Sequence, residues 1–158
     1  MDSLDLLLIG AATAAAWWMM NDQKRSSIGY DVPFGSMFQK AEAQFSLPKF
    51  LLVEVARKES NFKRDAFNKK SGASGIMQIV PKWHPNVDPW APEQAIPYAA
   101  GYLSQLYVQF GSWMEALAAY NWGPGNLNRY GLDRLPLETS NYVGTIQQRL
   151  REQGTIIS

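Results

Sequence analysis

Glu59 to Gln78, ESNFKRDAFNKKSGASGIMQ, is the stretch around which the chain is organised. It opens at the end of a helical run: Leu52, Val55, Ala56 and Glu59 fall at i, i+3, i+4 and i+7. That spacing is one face of a helix, so the carboxylate prolongs an apolar stripe. A carboxyl held against apolar surface is poorly hydrated as an anion, and its pKa rises. Further on, Gly72, Ala73, Ser74 and Gly75 are small enough for backbone to approach a ligand or the glutamate closely. Ile76, Met77 and Gln78 then add apolar surface and a neutral amide. A buried acid facing a tight glycine turn is the pattern of a catalytic centre. The spacing alone also admits a surface glutamate, its long side chain curled out of the apolar face, followed by an ordinary loop.

The strings that follow favour the first reading. ES…GASGIMQ resembles the signature of the lytic transglycosylases, peptidoglycan-cleaving enzymes with a goose-type lysozyme fold. Ala119-Tyr120-Asn121-Trp122-Gly123 is similar to that family's AYN-x-G, and Glu138-Thr139-Ser140-Asn141-Tyr142-Val143 to its ET-x-x-YV. The matches come in the family's order and cover roughly residues 35 to 150. Each is weak alone; together they are specific.

The resemblance implies that Glu59 is the catalytic acid. It implies that Met77, Gln78 and Asn121 line the cleft, the amides bonding N-acetyl groups, and that Tyr120 and Tyr142 bring hydroxyls near Glu59 or the acetamide. Ordinary glycosidases use two carboxylates, and no second acid is firmly placed by the sequence. In the implied chemistry the substrate replaces it: the 2-acetamido oxygen of N-acetylmuramic acid supports the cation at C1. Glu59 first protonates the glycosidic oxygen, then takes the proton of the sugar's own 6-hydroxyl, giving a 1,6-anhydro product without water. No cofactor, metal or nucleic acid is implied. The partners are peptidoglycan strands, with other virion proteins in a viral setting. Two departures touch the sugar subsites: the loop between Glu59 and the glycine turn is longer than usual, bringing Asn68 or a lysine near the acetamide, and Val80 replaces a common methionine. A rival reading is a lysozyme-type hydrolase on the same fold, with Asp65 or Asp88 positioning water; another is a non-catalytic wall-binding or virion structural protein.

Composition agrees with one folded domain. The chain has 158 residues, 46% apolar and 13% aromatic, enough for a single sizeable core. A net charge of +1 gives no strong field toward nucleic acid or acidic membranes. The absence of cysteine excludes disulfides and thiolate metal sites, and a single histidine, His84, leaves a multi-histidine site or a Ser-His-Asp triad with a spare base without material. In its proline-rich loop, His84 reads as structural or exposed.

The N-terminus, Leu4 to Met20, is LDLLLIGAATAAAWWMM, with one charge at Asp5. Its length is near the lower limit for crossing a bilayer, and Trp17 and Trp18 suit an interface. The reading is a transmembrane anchor over residues 1–20, meeting the membrane through residues 4–20, then a polar linker over 21–34 and a catalytic domain over 35–158. Lys24 and Arg25 put that domain on the cytoplasmic side by charge, away from peptidoglycan. A bacteriophage protein carried in a virion, with or without a viral membrane, that opens the wall during entry removes the conflict; the alternative location is the bacterial cell envelope.

The fold is expected to be all or mostly α, lysozyme-like. Helices are expected from about Gly35 to Phe45, from a Ser46 cap to Glu59, and from Glu93 or Ile96 to Phe110. Others follow from a Ser112–Glu115 capping box to Ala119, briefly to Tyr130, and from Glu138 to about Gln153. The five prolines from Pro81 to Pro97 predict an ordered loop. Trp83 and Trp90 either stack on sugars or pin that loop.

Overall fold

A computed structural model describes residues 29–158 together with Thr13, Ala16, Trp17, Met19 and Met20. Those five are helical and exposed. Most of the expected membrane anchor, Leu4–Met20, lies outside the described residues. Among the described residues no helix is long and apolar enough to cross a membrane.

The domain is helical, with no strand among the described residues. Its elements are α1 (Gly35–Gln44), α2 (Leu51–Ser60), α3 (Pro92–Phe110), α4 (Trp113–Trp122), α5 (Pro124–Tyr130), a 3-10 turn (Leu132–Arg134) and α6 (Leu137–Glu152). Helix α3 packs on α1 and α4, α4 on α5 and α6, and α2 on α1 and α6. The 3.6-residue stripes meet at the centre, where Phe38, Leu51, Leu52, Ile76, Ile96, Leu103, Leu117, Ile146 and Leu150 are fully buried.

Three boundaries depart from the sequence expectation. The folded body begins before residue 35, within the stretch assigned to the linker. Gly29 lies flat on the Phe50 ring, where a Cβ would come within 2.3 Å of ring carbon. Tyr30 packs on the same ring, centroids 4.8 Å apart, and its hydroxyl donates to Glu42.

Ser46 does not cap α2. The helix starts after Phe50, itself left-handed at φ 67°, and its first amides are taken by a side chain from α1. Glu42 accepts from Phe50 N at 2.9 Å and Leu52 N at 2.8 Å. A tertiary carboxylate thus does what an N-cap does, at the positive end of the helix dipole.

The proline run, expected to hold no regular element, contains the start of α3. Pro92 occupies its first turn, where a missing N–H costs nothing, and Pro97 lies further inside. The Ser112 cap forms as expected, its Oγ accepting from Glu115 N at 3.1 Å, and α4 runs on to Trp122.

Candidate active site

Glu59 stands on the last turn of α2. Ser60 fixes that turn against the glycine segment, its hydroxyl donating to Ile76 O at 2.8 Å. Asn61 and Phe62 then take left-handed conformations, φ 51° and 64°, and swing the chain into the loop that returns at Gly72. Gly75 is required twice over: its φ is +73°, and a Cβ there would lie 1.7 Å from Pro89 O. The close approach expected of the glycine turn is therefore to the proline-rich loop, not to the glutamate. Ser74 bridges Phe67 on one side and Ile79 on the other, so two isolated bridges close the loop.

From α6, Tyr142 reaches across and donates to Glu59 Oε1 at 2.8 Å. Tyr142 is almost fully buried and Glu59 partly so. Burial pushes the Glu59 carboxyl up from 4.5 to about 7; the Tyr142 bond and the Lys58 charge pull it down, and Glu138 nearby adds a smaller push upward. The Tyr142 hydroxyl is itself held well above its usual range by burial and by the charge it faces.

The other expected site residues separate into those that reach the groove and one that does not. Glu59, Gln78, Tyr120, Asn121 and Tyr142 line one cavity of about 560 Å3. Gln78, Tyr120 and Asn121 also line an adjoining cavity of about 920 Å3, bordered by Trp83, His84, Tyr98 and Tyr102. Gln78, Tyr120 and Asn121, with Val80, are the wall common to both cavities of the groove. Met77, expected to line the cleft, is fully buried in the core. Gln78, the next residue, is left-handed at φ 49°. What Met77 gives the site is its carbonyl, which accepts from the Tyr120 hydroxyl at 2.9 Å. Tyr120 is thereby a wall, its hydroxyl already engaged.

The two amides are held from behind. Gln78 Nε2 donates to Gly75 O at 2.9 Å and Ala66 O at 3.2 Å, so its Oε1 remains as an acceptor. Asn121 Oδ1 accepts from Thr139 at 2.9 Å, so its Nδ2 hydrogens remain as donors. One acceptor and one donor are thus kept for a ligand. Thr139 was not singled out by the sequence; its only signal was a place one turn before Tyr142 on the same helix face.

The profile of transglycosylase SLT domains matches residues 36–143. The chain belongs to that family. Among curated relatives it is 31% identical over 98 residues to protein IpgF of Shigella flexneri, and equally to that of Shigella sonnei. The match takes in 54% of this chain and 64% of each relative, so the chain spans somewhat under two thirds of their length. Among solved structures it resembles the lytic transglycosylase Slt of Pseudomonas aeruginosa, solved as an inactive glutamate-to-glutamine mutant (26% identity, TM-score 0.65, covering 75% of this chain and 23% of that one). It also resembles the 70 kDa soluble lytic transglycosylase of Escherichia coli (26% identity, TM-score 0.62, 72% and 23%). The chain thus spans less than a quarter of those two proteins.

In this transglycosylase SLT domain the second carboxylate of the Glu59 cavity is Glu138. Asp65 and Asp88 do not line it. Both are exposed, and Asp88 takes the Trp90 N–H at 2.9 Å. Of the residues near the expected sugar subsites, Asn68 and Val80 line the cavity, with Ser71 and Asn141. His84 is packed edge-on to Tyr98 and Tyr102, with Nδ1 2.8 Å from the Tyr98 hydroxyl, and burial lowers its pKa. Trp83 is 69% exposed at the far end of the groove, while Trp90 packs against Phe67.

Proposed function

We propose that this chain is a peptidoglycan lytic transglycosylase that cleaves the β-1,4 bond between N-acetylmuramic acid and N-acetylglucosamine through Glu59. One observation carries the reading: a carboxyl protonated up to about pH 7, lining a groove and touched by a single hydroxyl. Because Tyr142 donates to Oε1, the acidic proton belongs on Oε2. It passes to the leaving O4 as the C1–O4 bond breaks, and the 2-acetamido oxygen of the muramic residue supports C1. The new carboxylate keeps the Tyr142 bond, which favours the anion. It then removes the proton of the 6-hydroxyl as O6 closes on C1. The 1,6-anhydro product leaves and Glu59 is neutral again, with no water consumed. Gln78 Oε1 and Asn121 Nδ2 offer an acetamido group the acceptor and donor it complements. The glutamate-to-glutamine change in the inactive Pseudomonas relative supports an essential glutamate, and the remoteness of Asp65 and Asp88 argues against their positioning water.

The test is mass spectrometry of purified peptidoglycan digested by the full chain. Fragments ending in 1,6-anhydro-N-acetylmuramic acid are expected, and Glu59→Gln should make none while still binding the strands. Ordinary reducing ends, heavier by one water, would make the protein a hydrolase.

The surroundings follow from the sequence. Residues 1–20 act as a membrane anchor with the catalytic domain behind a short linker, and the exposed Trp17, Met19 and Met20 leave apolar surface for lipid. Local opening of the wall by a virion-borne enzyme reconciles the charge bias of Lys24 and Arg25 with an external substrate. Protease protection of the domain in membrane vesicles, and the presence of the chain in purified virions, test these two assignments.

A further inference from the structure

Polar contacts tie α2 to α6 at both ends. At the catalytic end stands the Tyr142–Glu59 bond. At the other stands Glu54, in the first turn of α2 and 1% exposed. Gln153, which closes α6, donates its Nε2 to Glu54 Oε1 at 2.8 Å. Arg57 Nε donates to Oε2 at 3.1 Å, and the Arg149 guanidinium comes within 3.8 Å of the same oxygen. Arg57 also lies over the Phe62 ring, 4.8 Å from its centroid. Phe62 is the second of the two left-handed residues that follow Glu59 and Ser60. The cluster thus runs from the last turn of α6, along α2, to the turn just beyond the catalytic glutamate.

Chemistry limits what such a cluster does. Taking a carboxyl and its cations out of water carries a desolvation penalty that the pairing offsets only in good geometry, so the net stabilisation is small. Its demand on geometry is large. The core shared by the two helices includes Val55, Ala56, Ile146 and Leu150, and apolar burial is non-directional. A hydrogen bond holds only over a narrow range of distance and angle. Fixing the register of packed helices is the best-attested use of buried polar contacts. A small slide of α6 along α2 would pull Tyr142 away from Glu59, and the apolar contacts alone do little to oppose it.

We infer that the Glu54–Gln153–Arg149 cluster sets the register of α6 on α2, and through it the placement of the Tyr142 hydroxyl on Glu59. The inference rests on Glu59 as the acid of the function proposed above. Glu54, Gln153 and Arg149 are positioning residues, since none of them lines the catalytic cavity. Glu59 is faced by Lys58 on its own helix, by Tyr142 and Glu138 on α6 and by Tyr120 on α4. None of these is a partner of Glu54 among the described residues, so no shared side chain links the two ends.

The experiment removes the α6 half of the cluster with Gln153→Ala and Arg149→Ala in the full chain. Both side chains are exposed, and Gln153 and Arg57 border an open cavity of about 570 Å3, so water takes their place while Glu54 keeps Arg57. The Glu59 carboxyl is titrated by isotope-edited NMR, its signal assigned by its absence in Glu59→Gln, and kcat/KM is followed over the same pH range. Tyr142→Phe, which loses a hydrogen bond to a charged group, should titrate about one unit or more above the parent. The double alanine variant should move the same way by about half as much, with kcat lowered and KM little changed. Gln153→Ala alone, which alters no charge, should show most of that shift. Added to Tyr142→Phe, the two alanines should shift the titration no further, because the bond they act through is already gone. An unmoved titration with a lowered Tm would make the cluster a brace without influence on the site. A shift that persists beside Tyr142→Phe would make it an effect of charge through space. Either result overturns the inference, as does a Tyr142→Phe variant that titrates like the parent. The titration needs no turnover, so products heavier by one water would refute the lyase chemistry and leave the register argument standing.

Discussion

Replacing Glu59 by glutamine should stabilise this protein at neutral pH and leave it unchanged at acid pH. The folded state binds the Glu59 proton at about 7, the unfolded chain at 4.5. Folding is therefore linked to proton uptake: the contribution is fully present below 4.5, declines as pH rises to about 7, and is flat beyond. Each unit of difference corresponds to 1.36 kcal/mol, so the parent loses about 3 kcal/mol across that window. The substituted amide would carry no charge at any pH and would still accept from Tyr142, so the variant would lack this decline. For a chain of this size 1 kcal/mol shifts Tm by about 2–4 °C, which places the two melting curves roughly 6–12 °C apart at pH 8 and together at pH 4. The assay is calorimetry of both proteins from pH 4 to 8, read as a difference so that other titrating groups, Glu42 among them, cancel. A constant gap across the range would mean that Glu59 titrates as an ordinary surface acid, and the argument for a neutral acid at work would collapse.

Further outcomes follow from the same geometry. Tyr142→Phe removes a bond to a carboxylate worth about 1.5–3 kcal/mol; the pH at which kcat/KM falls should move up by about one unit or more while maximal kcat drops, and an unmoved limb would refute the role of that hydroxyl. In the parent, kcat/KM should decline tenfold per pH unit above about 7 without a matching acid limb, whereas a bell with two carboxylate-like pKa values would point to a two-acid mechanism. Glu42→Ala leaves the buried amides of Phe50 and Leu52 without acceptors and should cost about 3–5 kcal/mol in urea unfolding; a loss below about 1 kcal/mol would show that water replaces the cap. Gly75→Ala should be far more damaging than Gly72→Ala, because Gly72 shares the positive φ but has open space where its Cβ would go; equal Tm losses would contradict the contact with Pro89.

What could be read from the sequence was whatever helical periodicity carries. Glu59 prolonging the Leu52–Val55–Ala56 stripe, and Tyr142 heading the Ile146–Leu150 stripe, were legible because both faces repeat every three to four residues, and these two residues meet at 2.8 Å. The Ser112 cap was legible because its partner lies three residues away. The capping of α2 was not, since Glu42 reaches it only once α1 has packed. Met77 was misplaced for a related reason. Outside a helix no period fixes which way a side chain points. The extent of the domain was missed because Gly29 and Tyr30 sit in a polar run and pack on Phe50, some twenty residues further along the chain.

The structure also separates three glutamates by how each carboxyl is compensated. Glu42 is 2% exposed and accepts from backbone amides and the Tyr30 hydroxyl. Glu54, 1% exposed, is met by Arg57, Arg149 and Gln153. Glu59 is less buried than either, yet has one hydroxyl for its two oxygens. A buried carboxyl supplied with several donors is a structural group, since losing it leaves those donors stranded. A carboxyl left with a single donor beside an open groove has its second oxygen unspoken for and its proton bound near neutrality. Burial raises its pKa, and the single donor leaves Oε2 free to give a proton to a substrate and take one back.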